Sequence, residues 1–113
     1  MPRDYRVFLD DILESTRKIL EYTAGFSYEQ FSADQKTIEA VVWNLMIIGE
    51  AAKNVPEEVR SRYTDVLWRE MAGLRDIIVH QYFEIKLDVI WKVIQKDLPR
   101  VEERLGGILE QWG

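Results

Sequence analysis

Apolar residues recur at three- and four-residue spacing along most of the chain, a period typical of amphipathic helices. The first such stretch covers residues 3–24, between Pro2 and Gly25. Its predicted inward face consists of Phe8, Leu9, Ile12, Leu13, Ile19 and Leu20. Residues 25–32 then form a connector, in which Ser27 is expected to cap a short turn.

A second stretch, residues 33–54, is apolar around most of its circumference. A helix of that kind is contacted on two or more sides, so we expect it to be the central helix. Ser32 or Asp34 is the expected cap at its start. Pro56 ends it, since proline disfavours helical geometry in the preceding residue.

The second half of the chain continues the helical pattern. Residues 57–63 predict a short charged helix, and Thr64 or Asp65 is expected to cap a third long helix. Its predicted buried stripe is Leu67, Met71, Leu74, Ile77 and Ile78. The last helix is expected over residues 88–111, with a kink at Pro99.

No strand-like alternation, internal repeat or low-complexity stretch interrupts this pattern. It therefore predicts an all-α protein, a four- to five-helix up-and-down bundle in a single domain over residues 1–113. No apolar run approaches the length of a membrane helix, and the first residues do not resemble a signal peptide. The cytoplasm is the expected location, with no membrane partner.

Composition narrows the chemistry further. The chain has no cysteine and one histidine, which excludes disulfides, thiolate catalysis and a site of several imidazoles within one chain. We expect neither a metal nor another cofactor. The net charge of -5 argues against binding of nucleic acid over an extended surface, so RNA would have to enter a local pocket of positive charge.

The only histidine, His80, lies close to an arginine and an acid. Imidazole can accept and donate a proton near neutral pH, and the guanidinium of Arg75 suits a phosphate, which together suggest phosphodiester chemistry on RNA. Asp76 precedes His80 by four residues and so shares its helix face, where it either orients the imidazole or pairs with a nearby cation. Arg75 and His80 are about 140° apart around a helix. Either the helix loosens after Val79, or a second copy faces the first across a twofold axis; the second is favoured.

Two neighbours in the central helix are also candidates. Gly49 removes a side chain and would let another backbone come close. Glu50 is either a buried acid paired with an arginine, for which Arg75 is the expected partner, or a member of the catalytic cleft. The tryptophans are expected in the core or at a subunit contact, with base stacking as the alternative.

Residues 75–82 fit the R-x-x-x-x-H-x-Y signature of the HepT-like toxins of the HEPN superfamily, an all-helical group of RNA-cleaving domains. Residues 44–52 and 68–76 resemble two further blocks of that family. The resemblance implies a homodimeric, metal-independent endoribonuclease whose Arg75 and His80 meet in a cleft between subunits. Asp76 would support them, and Glu50 is a further candidate.

The resemblance also implies a partner, a minimal nucleotidyltransferase antitoxin that silences the toxin by transferring AMP to Tyr82. The alternative is a catalytically inactive helical subunit that dimerises or binds nucleotide for that partner. One position departs from the family pattern: Lys86 stands where an acid usually caps the last helix, and lysine cannot accept the amide hydrogens there.

Overall fold

Helices account for nearly all of the chain that the structure describes. The structure, a computed structural model, describes residues 5–80 and 86–111, with the side chains of Ile77, Val79 and His80 left outside the description. The helices are α1 (Arg6–Tyr22), α2 (Tyr28–Ala33), α3 (Gln35–Asn54), α4 (Glu57–Arg62), α5 (Trp68–His80), α6 (Leu87–Lys92) and α7 (Leu98–Glu110), and a π-helical segment, Val93–Asp97, joins α6 to α7. Within the described ranges there is no strand, so the predicted all-α bundle is confirmed.

The long helix α3 is central, as its apolar circumference predicted. It packs against α1 on one side and α5 on the other, while α7 packs against α1. Most of the core is aliphatic, and its largest fully buried side chains are Leu9, Ile12, Ile19, Phe31, Val41, Leu45, Ile48, Val55, Ile94, Leu98, Leu105 and Ile108. Because α3 packs against both α1 and α5, it holds α5 in a fixed position relative to the core.

Two polar caps set where α2 and α3 begin. Ser27 accepts a hydrogen bond from the Gln30 amide, and the Gln30 side chain accepts one from the Ser27 amide, so the predicted cap is a full capping box. Asp34 accepts from the amide of Thr37 at 3.1 Å, which makes it, rather than Ser32, the cap of α3. These caps fix the start of the helix that carries Gly49 and Glu50.

The start of α5 differs from the prediction. The helix begins at Trp68, and neither Thr64 nor Asp65 caps it, so that expectation was wrong. The Asp65 carboxylate instead accepts a hydrogen bond from Nε of Arg104 on α7. Trp68 Nε1 donates to the Tyr63 carbonyl at 2.8 Å and holds the connection against the first turn of α5. The local sequence pattern predicted that Asp65 caps α5, but its side chain instead binds Arg104, which is distant in sequence.

The final helical run extends from Leu87 to Glu110, close to the predicted span. Its irregularity is the π-helical segment Val93–Asp97, which ends two residues before Pro99. Proline has no amide hydrogen and its ring crowds the preceding turn, so the wider hydrogen-bonding pattern of a π turn accommodates it. At the start of the run Lys86 makes no side-chain capping bond, as expected for lysine at that position.

Candidate functional site

Helices α3 and α5 approach each other closely where Gly49 faces Arg75. A Cβ built at Gly49 would lie 2.7 Å from the Arg75 backbone nitrogen and 2.9 Å from the Arg75 Cβ. Real Cβ atoms do not come so near to backbone, so only glycine permits this approach. The close approach predicted for Gly49 is confirmed, and its consequence is that the Arg75 main chain is fixed against the central helix.

The next residue of α3 orients the arginine side chain. The Glu50 carboxylate lies 3.0 Å from Nε of Arg75, which confirms the expected pairing. The carboxylate is 59% exposed and the arginine side chain 39%, so the alternative of a buried acid was wrong. An ion pair through Nε leaves the terminal nitrogens of the guanidinium directed elsewhere.

Asp76 lies between two cations. Its Oδ1 is 2.9 Å from Nζ of Lys53 and 3.7 Å from Nη1 of Arg75. These contacts support the second of the two roles that the sequence left open for Asp76, pairing with nearby cations. Its orienting role stays a prediction, because the His80 side chain lies outside the described residues. Lys53 was not singled out from the sequence. Lys53 is three residues beyond Glu50 and four beyond Gly49, so it lies on the same face of α3. That helical spacing from Gly49 is the signal that could have identified it.

The backbone of α5 stays helical as far as His80. Positions 75 and 80 therefore lie about 140° apart around one axis. The residues directly after His80 lie outside the description, so the alternative in which the helix loosens after Val79 stays a prediction. The His80 side chain and all of Tyr82 lie outside the described residues. The structure thus brings Arg75, Glu50, Asp76 and Lys53 together, and it gives the two candidate catalytic positions different faces of α5.

An apolar groove lies along the first part of α3, where α3 approaches Leu87. Its volume is about 420 Å³. Trp43 is 64% exposed there, which is unusual for so large an apolar side chain. The apolar residues that line the groove are Ile38, Val42, Trp43, Met46 and Leu87, and we call them the Trp43 groove. Trp43 precedes Glu50 by two helical turns, so the groove and the arginine pair share one side of α3.

The other two described tryptophans belong to the core or pack against it, as expected. Trp68 is buried, and Trp91 stacks on Phe31 with ring centroids 5.1 Å apart. Trp112 lies outside the described residues. Trp43 is therefore the described tryptophan whose exposure leaves subunit contact or base stacking open.

A second charged cluster lies at the connection between α4 and α5. Arg104 from α7 contacts Asp65 and also lies over the ring of Tyr63, 5.6 Å from its centroid. The hydrogen bond from Arg104 holds the pKa of Asp65 below its ordinary value. These contacts link the connection to α7, and we interpret the cluster as structural.

The described residues contain neither a metal-binding cluster nor a membrane-spanning helix. No group of three histidine, cysteine, aspartate or glutamate side chains within residues 5–80 and 86–111 is arranged to hold a metal ion. In the same part of the chain, no helix combines the length and the apolar character that crossing a bilayer requires.

Comparison with known proteins gives one family match. The model of a family described as HepT-like ribonucleases matches residues 12–108. A protein of Thermococcus cleftensis described as a probable ribonuclease HepT is 39% identical over 102 residues, which cover 90% of this chain and 93% of that protein. A proposed RNase of Caldanaerobacter subterraneus is 39% identical over 106 residues, or 94% of this chain and 95% of that protein.

A further relative is longer. A protein of Methanocaldococcus jannaschii, described as a gamma-glutamylcyclotransferase and a proposed RNase, is 38% identical over 111 residues, which cover 98% of this chain but 50% of that protein. This chain therefore spans about half the length of that relative. No solved structure matches the chain.

Proposed function

Because this chain belongs to the HepT-like ribonuclease family, we propose that it is a metal-independent endoribonuclease that cleaves RNA in the cytoplasm, in a cleft between two copies of the chain. The observation that carries the proposal is the position of Arg75. Its main chain is fixed by Gly49, Glu50 holds its Nε, and its guanidinium still reaches solvent. A fixed cation open to solvent is suited to a phosphodiester.

In the proposed reaction, neutral His80 takes the proton of a ribose 2'-hydroxyl. The 2'-oxygen attacks phosphorus, and the bond from phosphorus to the 5'-oxygen breaks. The leaving 5'-oxygen takes up a proton from water, and the protonated His80 then returns its proton to the solvent. Arg75 holds the non-bridging oxygens while negative charge builds on them. The products are a 2',3'-cyclic phosphate and a free 5'-hydroxyl.

Helix geometry favours a second copy at this site. Because positions 75 and 80 lie about 140° apart around α5, we do not expect one chain to aim both side chains at the same phosphorus. A twofold axis places the same surface of two chains together, so Arg75 of one chain could meet His80 of the other. The Trp43 groove supports this arrangement, since it is an exposed apolar surface on the same side of α3 as Glu50.

Regulation belongs to the same proposal. Tyr82 would accept AMP from a minimal nucleotidyltransferase, the antitoxin of the pair, with its hydroxyl attacking the α-phosphorus of ATP and pyrophosphate leaving. The support is the R-x-x-x-x-H-x-Y motif, in which Tyr82 follows His80 by two residues. Mass spectrometry of the protein after incubation with ATP and such an enzyme tests this directly, with Tyr82→Phe as the control.

The experiment for the activity itself uses purified protein, total RNA and EDTA. We expect cleavage that ends in 2',3'-cyclic phosphates, and loss of that cleavage in His80→Ala and in Arg75→Ala. Unchanged cleavage by His80→Ala would point to a contaminating nuclease. Intact RNA at every concentration of the unmodified protein would favour the alternative, an inactive helical subunit of the nucleotidyltransferase.

A further inference from the structure

The cluster between α3 and α5 holds a cation to which neither the sequence nor the comparisons assign a role. Lys53 lies one turn beyond Gly49 on α3, and its ammonium contacts Oδ1 of Asp76 at 2.9 Å. Nη1 of Arg75 is 3.7 Å from the same oxygen. Asp76 Oδ1 therefore marks a point where one anionic oxygen is shared by a lysine and an arginine.

The side chains in these contacts are exposed to solvent, so another anion can reach the two cations and replace the Asp76 carboxylate. The side chains of Lys53 and Asp76 are 37% and 51% exposed, and water solvates each partner when the pair opens. Exposed ion pairs contribute little to stability, so a better anion can replace the carboxylate at small cost. A phosphate group is such an anion, because it offers several acceptor oxygens to ammonium and guanidinium donors together.

The arginine is oriented for that exchange. Glu50 occupies Nε, on one edge of the guanidinium, while Nη1 is directed toward Asp76. A phosphate that replaces Asp76 can thus be bound by Nη1 and by the Lys53 ammonium without disturbing the Glu50 contact. Glu50 acts here as a positioning residue for Arg75.

We propose that Lys53 and Arg75 form a two-cation binding site for a backbone phosphate of single-stranded RNA, and that the Asp76 carboxylate occupies this site until RNA binds. The inference rests on the proposed function and adds a substrate-binding residue to it. A net charge of -5 opposes RNA binding over a broad surface, so such a chain needs its RNA-binding cations concentrated in one place. The Lys53 and Arg75 site provides such a concentration.

Binding is measured in the His80→Ala background, so that the RNA remains intact and the result does not depend on cleavage. The probe is a short fluorescein-labelled oligouridylate, titrated by fluorescence anisotropy over a range of salt concentrations. Lys53→Gln is expected to weaken binding about three- to tenfold at low salt. It should also reduce the slope of log affinity against log salt by about 0.7, the value of one phosphate contact on a single strand.

Lys18→Gln is the matched control. Lys18 is an exposed lysine of α1 whose ammonium lies 3.3 Å from Glu14, so its removal changes the net charge equally. The control should keep the slope of the parent protein, and Lys53→Arg should restore it. Equal slopes for the Lys53→Gln and Lys18→Gln proteins would overturn the proposal.

Asp76→Asn tests the exchange. Removing the carboxylate that competes with phosphate should tighten binding by about threefold or more at low salt. Weaker binding would show that Asp76 does not occupy the phosphate position. Failure of the cleavage assay alongside a normal Lys53 effect would reject the ribonuclease but keep this site; the reverse pattern would reject the site alone.

Discussion

Replacing Gly49 by alanine tests how firmly Arg75 is held. The new methyl group would lie 2.7 Å from the Arg75 amide nitrogen, 2.9 Å from its Cβ and 3.2 Å from the Met71 carbonyl oxygen. Two of these three atoms are backbone, so they cannot rotate away as the end of a side chain can. Helix α5 must therefore shift relative to α3, and overpacking of this kind costs about 1–3 kcal/mol.

Alanine also favours a helix over glycine by about 1 kcal/mol, which would hide part of that cost. Gly73→Ala provides the matched control, since Gly73 lies within α5 and a Cβ there meets no atom within 4 Å. The propensity gain is common to both variants. Gly49→Ala is therefore expected to be less stable than Gly73→Ala by about 1–3 kcal/mol in the free energy of unfolding.

Urea unfolding followed by circular dichroism measures that difference. Because α5 carries Arg75, Gly49→Ala should also lower RNA cleavage by about tenfold or more under conditions where it is fully folded, since small misplacements of a catalytic group are costly. Equal stability of the two alanine variants would refute the reasoning, because it would mean that the helices separate without cost.

Three further results are expected. Trp43→Arg should convert a dimer into a monomer in analytical ultracentrifugation, whereas Tyr22→Arg, at an exposed aromatic residue of α1, should not; a dimer in both would exclude the Trp43 groove as the contact. Since the pKa of Asp65 is lowered in the folded state, its charged form stabilises the fold above the ordinary aspartate pKa, and this contribution is lost as the pH falls through the lowered value. The stability difference between the unmodified protein and Asp65→Asn should accordingly shrink on acidification, and a difference that grows would contradict the Arg104 contact. Ser27→Ala should cost about 0.5–2 kcal/mol of unfolding free energy by calorimetry, since it removes the cap of α2; no change would mean the capping box is dispensable.

The helices were predictable because each has its own periodic apolar stripe. Asp34 and Ser27 were predictable as caps because a cap acts on amides two or three residues away. Asp65 misled for the opposite reason: its partner, Arg104, is 39 residues further along the chain. The π-helical segment was also missed, since the sequence shows that Pro99 disturbs the helix but not how the turn before it adapts.

The candidate site shows the same division. Gly49 predicted a close contact between two helices, because it has no side chain. Glu50, the acid next to it, predicted an ion pair with an arginine, and Arg75 is that arginine. The position of Asp76 stayed open, because helical spacing offered it His80 and its neighbours equally. Only the packing of α3 on α5 brings Lys53 to it, across 23 residues of sequence.

We propose that Arg75 of one chain and His80 of another act together on one phosphodiester. Arg75→Ala and His80→Ala proteins are each expected to be nearly inactive against RNA. When the two are unfolded together and refolded, random pairing gives heterodimers with one intact site, and cleavage should return to about a quarter of that of the unmodified protein. A mixture that forms heterodimers, as shown by native mass spectrometry, yet cleaves no faster than either variant alone would contradict the claim.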